Sequence, residues 1–193
     1  MPDVTINQLN TGTPNKNSAV IPYSDGTTTL KTSPSGIVAA SPGSIINVGN
    51  VLNETTYTFF LPTNTDYVNT GMSVSYKPLF STSKILVQAH IYGQKYYLGG
   101  NYNVPMVLQL RRGANVNLTN YVGSNAIASN GENLMSTYSF SVIDTPNTTN
   151  NVVYTIWAKT TASGYGGEAY INKLYSNHPG VWTSMFTFFE IAG

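Results

Sequence analysis

The sequence is short of charge and has no cysteine. Of its 193 residues only 9% are charged, against roughly 25% in an average globular protein, and the formal net charge is +1. Because no basic excess provides an electrostatic footprint, we expect no nucleic-acid partner. Because cysteine is absent, a disulfide framework and a thiolate metal site are both excluded.

Long apolar runs and helical stripes are also missing. No stretch approaches the roughly 18 consecutive apolar residues of a membrane-spanning helix, so we expect no membrane insertion. The first ten residues, MPDVTINQLN, contain neither a basic nor an apolar signal region, so we expect no cleaved secretory signal. No segment of ten or more residues repeats apolar residues at helical spacing, which argues against an α-helical domain.

Groups that carry catalysis are few and scattered. The two histidines, His90 and His178, stand at no metal-triad spacing from a carboxylate, and no two of the eight carboxylates are close in sequence. The chain has no G-x-S-x-G elbow, no P-loop and no dinucleotide-binding glycines. We therefore predict a non-enzymatic protein without metal or cofactor. Carboxylates that meet only on folding, as in glycosidases, remain an alternative at this stage.

What the chain has in abundance is Thr, Asn and Tyr, the composition of strands and turns. Between residues 44 and 191, short segments alternate apolar and polar residues with the two-residue period of a strand. Turn-forming Gly, Asn, Asp and Pro separate them. The pattern predicts an all-β jelly-roll sandwich, with strands at 44–48, 55–61, 71–76, 83–93, 104–112, 134–143, 151–160, 167–175 and 185–191.

Residues 1–44 differ from residues 45–193, which we predict to be the sandwich head. The leading part is dense in Pro, Gly, Asn, Ser and Thr and has only short apolar pieces. SDG at 24–26 predicts a turn between two extended segments. Two interpretations stay open: a disordered arm, or an extended arm that orders on a partner by strand addition or wrapping.

Two further features are candidates for contacts. The loop YGQKYYLGGNYN places Tyr92, Tyr96, Tyr97 and Tyr102 among Gly and Asn, a mixture suited to binding glycans or proteins. The same tyrosines would equally serve to pack between subunits or cap the sandwich. Arg111 and Arg112 either form an ion pair to a partner or end a strand in solvent.

Four segments carry a resemblance to a known family. SKILVQAHIYG, VPMVLQLRRGANV, YTIWAKTTASG and the terminal MFTFFEIAG resemble the C-terminal heads of tailed-bacteriophage fibre and head-decoration proteins. The resemblance covers roughly residues 70–193. It implies a jelly roll similar to the TNF/C1q type, assembled as a homotrimer around a threefold axis, in a protein located on the outer surface of the virion.

The leading segment TINQLNTGTPNKNSAVIPYSDGTTTLKTSPSGI looks like the start of phage fibre and virion proteins, where it attaches the protein to the particle. This resemblance implies a capsid decoration or cement protein bound to the major capsid protein or another virion protein. We expect the apolar residues of the arm to be its anchors: Ile6, Leu9, Val20, Ile21 and Leu30.

Two alternatives remain. One is a short tail fibre whose tip binds a host surface glycan, although no coiled-coil, collagen-like or β-helix repeat supplies a shaft. The other is a carbohydrate-binding or glycan-cleaving module, against which the absent carboxylate motif counts.

The C-terminal strand has large residues on both alternating faces, whereas a half-buried strand needs only one apolar face. In the family that the chain resembles, this strand runs centrally in the sheet that faces the threefold axis. We therefore predict that the terminal aromatic residues contribute to the trimer interface: Trp182, Phe186, Phe188 and Phe189.

Overall fold

The computed structural model describes residues 21–24, 29–32, 42–64, 66–95, 106–119, 122–123, 135–161, 164, 166–173 and 182–193. Residues 21–24, 29–32 and 122–123 are described by their backbone alone. The described residues form strands and turns and contain no helix, so none of them forms a helix able to cross a bilayer.

The strands of the chain are β1 Ile21–Ser24, β2 Thr29–Thr32, β3 Ile45–Asn53, β4 Tyr57–Leu61, β5 Val68–Tyr76, β6 Lys84–Lys95, β7 Met106–Arg112, β8 Val116–Asn117, β9 Val122–Gly123, β10 Ser136–Asp144, β11 Val152–Thr160, β12 Gly167–Ile171 and β13 Ser184–Ile191.

Two antiparallel sheets make the sandwich. Sheet 1 has the order β3-β13-β6-β12-β4, with β10 also paired to β6, and sheet 2 has the order β5-β11-β7-β8, with β9 also paired to β7. The chain passes from sheet to sheet at six connections: β4–β5, β5–β6, β6–β7, β9–β10, β10–β11 and β11–β12. The all-β jelly-roll sandwich predicted from the sequence is confirmed.

The core lies between the sheets and is filled by alternate residues of each strand. From sheet 1 it takes Ile85, Val87, Ala89 and Ile91, the four residues whose alternation in the sequence predicted one buried face. From sheet 2 it takes, among others, Met72, Leu108, Leu110, Tyr154 and Ile156. Burial of each large apolar side chain contributes about 1.5–3 kcal/mol, which makes this face the main source of stability.

The nine predicted strands of the head are all present, with shifted ends. The first extends to Asn53 because it pairs along its length with β13. The eighth ends at Ile171, short of the predicted 175, where Asn172 turns the backbone with a positive φ of 58°. The buried Asn172 side chain donates to Asn53 O (2.7 Å) and Thr55 O (3.1 Å) and accepts from Ser184 Oγ (2.6 Å), which joins three segments at this point.

In the leading part, β1 and β2 pair antiparallel, with Ile21 opposite Thr32 and Ser24 opposite Thr29. This pairing agrees with the turn predicted at SDG, although residues 25–28 themselves lie outside the described residues. A two-stranded hairpin has little stability by itself in water, so a partner surface would add to it.

Candidate interaction surface

The C-terminal strand β13 lies inside sheet 1, between β3 and β6, the central position that the resemblance implied. Its residues alternate between the two faces of the sheet. Phe186, Phe188 and Glu190 point into the sandwich and are fully buried, whereas Phe189 and Ile191 are partly exposed on the outside. The two aromatic faces seen in the sequence are therefore a core face and an outer face.

This placement corrects the predicted interface. Phe186 and Phe188 have no exposed surface within a single chain, because they lie in the core, where Phe188 packs against Tyr76 and Tyr154. They are thus unavailable to a partner subunit. Of the four predicted interface residues, Trp182 (41% exposed) and Phe189 remain on the outer surface.

The strand register reveals an apolar row that the sequence pattern did not show. Phe189 stands opposite Val48 of β3 on one side and Leu86 of β6 on the other, and Leu86 stands opposite Ile143 of β10. Val48 and Ile143, at the two ends, are 52% and 57% exposed. Because neighbouring strands are about 4.8 Å apart, the four side chains form a row about 14 Å long across the outer face. We call these four residues the apolar row.

Further apolar residues flank the apolar row. On one side Ile191 of β13 pairs with Ile45, which is 57% exposed. On the other side, beyond the polar cross-strand pair Thr187 and Gln88, Met185 pairs with Leu52, which is 64% exposed. The outer face of sheet 1 is thus an exposed apolar surface with one polar stripe, the kind of surface that marks an interaction site.

Trp182 and Tyr92 extend this face beyond Met185. Their rings are 5.3 Å apart and tilted by 35°, and the Trp182 amide donates to Asn172 O at 3.2 Å. The structure therefore brings together one residue of the predicted interface and one of the predicted contact loop. The other loop residues, Tyr96, Tyr97 and Tyr102, lie outside the described residues.

Most of the predicted anchor residues of the arm lie outside the described residues. Ile21 begins β1, and Leu30 lies in β2 opposite Tyr23. Ile6, Leu9 and Val20 belong to the part of the chain that the structure leaves undescribed. Their role as anchors stays a prediction.

Glu190, the carboxylate of β13, is fully buried, and its hydrogen bonds are structural. It accepts hydrogen bonds from Tyr76 Oη (2.9 Å), Leu79 N (2.7 Å) and Phe80 N (3.2 Å). Gly49 makes room for the Tyr76 ring, since a Cβ there would lie 3.1 Å from it. Burial and the bond to Glu190 raise the pKa of the Tyr76 phenol. The carboxylate thus fixes the position of the loop between β5 and β6.

A second buried network joins the two sheets. Asp144 of β10 accepts from Arg112 Nη1 (3.1 Å) and from the phenol of Tyr154 (3.0 Å), and Arg112 also donates to Thr145 O. Burial, followed by the neighbouring Asp144 charge, raises the pKa of Tyr154. Arg112 therefore pairs within its own chain, which replaces both interpretations offered for it from the sequence.

Arg111 also differs from its two interpretations. Its guanidinium lies over the Trp157 ring, 4.1 Å from the centroid, on the outer face of sheet 2. The sequence gave no signal for this contact, because the two residues are 46 positions apart and meet only through the pairing of β7 with β11.

The described residues offer no evident catalytic set. His90 is exposed and its Nδ1 lies 3.0 Å from Ser139 Oγ, while Glu168 is hydrogen-bonded to Tyr170. Glu190 and Asp144 accept the structural bonds given above. Within the described ranges no cluster of His, Asp and Glu is suited to hold a metal ion.

Comparison with known proteins gives distant structural similarity only. No protein-family model and no curated protein matches the chain. Among solved structures, the VP2 subviral particle of infectious bursal disease virus matches with a TM-score of 0.37 and 11% identity, over 90% of this chain and 42% of that chain. The Gt strain of that virus gives 0.38 and 12%, over 90% and 43%. The chain thus spans about two fifths of the length of these chains, and similarity at this level carries no information about activity or partners.

Proposed function

We propose that the chain is a non-enzymatic structural protein of a virion, a homotrimeric capsid decoration protein attached to the phage head through residues 1–44. The observation that carries this proposal is the apolar row across four strands of sheet 1. In a free monomer the row would expose Val48 and Ile143 to water, and burying them against a partner removes that cost.

Several features of the outer face support association with further copies of the chain. Among the described cross-strand neighbours of the apolar row and its flanking residues, the charged side chain is Lys84, opposite Ile191. Few like charges would therefore oppose contact between identical faces. A stable interface buries about 800 Å² on each partner, which requires the flanking residues as well as the row itself. The threefold arrangement follows from the resemblance of the sequence.

Attachment to the particle would come from avidity. An arm with short apolar pieces buries little surface, but three arms on one trimer bind at high effective concentration once the first is attached. Within the described part of the chain β1 and β2 pair with each other alone, so their other edges are open to addition to a partner sheet. Bridging neighbouring capsid subunits in this way would stabilise the shell.

Deletion of residues 1–40 tests the attachment. We expect the truncated chain to remain a soluble trimer, measured by light scattering after size exclusion, and to lose binding to particles. Normal incorporation of the truncated chain would refute the anchor role, and loss of the trimer would place the assembly determinants in the arm.

A short tail fibre that binds a host surface glycan is the second candidate. It is favoured by the Trp182–Tyr92 pair, in which Trp182 is exposed and Tyr92 partly exposed, since exposed aromatic rings suit adhesion. Copy number distinguishes the two functions. Electron cryo-microscopy of whole particles would show hundreds of copies on the shell for a decoration protein and a handful at the tail for a fibre.

A further inference from the structure

The loop between β5 and β6, residues 77–83, carries two adjacent apolar side chains at the surface. Leu79 is 54% exposed and Phe80 is 38% exposed, whereas Pro78 before them is buried. Both residues lie outside the strands, so they are separate from the apolar row of sheet 1. Two large apolar residues side by side on one loop differ from the single exposed ones that any protein surface contains. We call Leu79 and Phe80 the loop pair.

The backbone beneath the loop pair is fixed by hydrogen bonds. The amides of Leu79 and Phe80 donate to the Glu190 carboxylate at 2.7 and 3.2 Å. Phe80 O accepts from Ser83 N at 3.2 Å. Because this backbone is already ordered in the free chain, binding of a partner to the loop pair carries a smaller entropy cost. Large side chains that are held in this way and enter a partner's pocket typically supply much of the binding energy of an interface.

The loop lies where the leading part of the chain joins the head. Gly43 N donates to Ala192 O at 2.8 Å, and Ala192 N donates to Ser44 O at 2.9 Å. The next residue, Gly193, packs so closely on the loop that a Cβ there would collide with Thr82 O. These contacts connect the end of the leading part to the loop. The loop pair is therefore close to the segment proposed above to attach the chain to the particle.

Lysines flank the loop pair on both sides. Lys77 and Lys84 are exposed, and the sequence between them, PLFSTS, contains no acid. Glu190, which contacts the loop backbone, is fully buried and presents no charge at the surface. The loop therefore suits a partner whose apolar pocket has acidic groups at its rim. The same lysines oppose contact between the loops of two copies, since identical loops would bring like charges together.

We propose that the loop pair is a second docking point for the capsid protein that residues 1–44 bind. Leu79 and Phe80 enter an apolar pocket of that protein, and Lys77 and Lys84 face acidic groups at the rim of the pocket. This inference rests on the attachment proposed above and deepens it by naming a contact of the head itself. Because both contacts belong to one chain, the second forms at high effective concentration once the first is made.

The test measures, by co-sedimentation, binding of the purified full chain to particles that lack it. The double substitution Leu79→Ser with Phe80→Ser should weaken binding about tenfold or more, because the pocket is no longer filled. The matched control is Val116→Ser with Val153→Ser, since these valines of sheet 2 are 39% and 40% exposed. The control should bind like the wild type. Circular dichroism and light scattering should give the same fold and oligomeric state for all three proteins.

Charge and burial of the loop are tested separately. Lys77→Glu should weaken binding at low salt and weaken it less at high salt, because salt screens the contact. Since the chain has no cysteine, Ser81→Cys accepts a single fluorescent label beside the loop pair. The emission of this label should shift to the blue when the particle covers the loop. The same label at Val153→Cys should not respond.

Three results would overturn the proposal and leave attachment through residues 1–44 in place. The first is wild-type affinity in the double serine variant while deletion of residues 1–40 abolishes binding. The second is unchanged emission of the label at residue 81 in chains bound to particles. The third is binding of the wild-type chain to phosphatidylglycerol vesicles that the double serine variant loses, which would assign the loop pair to a lipid surface. Failure of the wild-type chain to bind particles would refute the attachment and this inference together.

Discussion

The phenol of Tyr76 donates a hydrogen bond of 2.9 Å to the fully buried carboxylate of Glu190, 114 residues further along the chain. The same carboxylate accepts from the backbone amides of Leu79 and Phe80. The next-to-last residue of β13 thus holds the loop between β5 and β6. The C-terminal strand therefore holds this loop in place through the three hydrogen bonds that the Glu190 carboxylate accepts.

Removal of the Glu190 carboxylate should lower the free energy of unfolding by more than the loss of a single hydrogen bond would. Glu190→Ala leaves the Tyr76 hydroxyl and two backbone donors without their acceptor, so we expect a loss of about 3 kcal/mol in the free energy of unfolding. Tyr76→Phe removes one donor and keeps the ring stacked on Phe188, so we expect about 1 kcal/mol. Urea unfolding measures both, and equal losses would contradict the shared role of the carboxylate.

Substitutions at two neighbouring phenylalanines, Phe188 and Phe189, distinguish an effect on folding from an effect on assembly. Phe188→Asp places a charge in the core and should prevent folding, since an unpaired buried charge costs several kcal/mol. Phe189→Asp places a charge in the apolar row and should leave a folded chain that no longer assembles. Circular dichroism reports the fold and light scattering reports the assembly.

The matched control for this pair is Thr187→Asp, which adds the same charge on the outer face in the polar stripe. It should weaken assembly less than Phe189→Asp does. If Phe189→Asp remains fully assembled and folded, the apolar row is not the interface. Truncation after Thr183 would not separate folding from assembly, because it removes all of β13 and with it part of the core.

The ion pair between Arg112 and Asp144 should contribute strongly to the free energy of unfolding. Asp144 is 3% exposed and Arg112 28%, so the pair is much less screened than a surface pair. Asp144→Ala removes the carboxylate that neutralises Arg112 and accepts from Tyr154, and we expect a loss of about 3 kcal/mol in the free energy of unfolding. A double-mutant cycle with Arg112→Met should give a coupling of about 1–3 kcal/mol. A coupling near zero would show that the pair is solvated.

The sequence predicted most of the fold because alternation reports directly on burial. The alternation of Ile85, Val87, Ala89 and Ile91 indicated the buried face of β6, and the structure confirms it. The apolar row was beyond prediction, since it depends on register: Val48 and Ile143 are 95 positions apart and align only through β13 and β6. Phe186 and Phe188 were misplaced for a different reason: alternation separates the two faces of a strand without showing which one is internal.

Stability should fall in alkaline solution. Unfolded tyrosines ionise near pH 10, but the pKa values of Tyr76 and Tyr154 are raised in the folded chain. Above pH 10 the native state therefore holds more protons than the unfolded state, and stability declines by about 1.4 kcal/mol per pH unit for each tyrosine. Burial lowers the pKa of Lys95 to about 8, which acts oppositely and raises stability between about pH 8 and 10.

We thus expect urea unfolding to give a maximum near pH 10 and a steep decline above it. Tyr154→Phe should lower stability at pH 8 by loss of the bond to Asp144, and it should make the alkaline decline shallower because one of the two retained protons is gone. A decline equally steep in Tyr154→Phe and in the wild type would mean that other groups, and not the buried phenols, determine the alkaline limit.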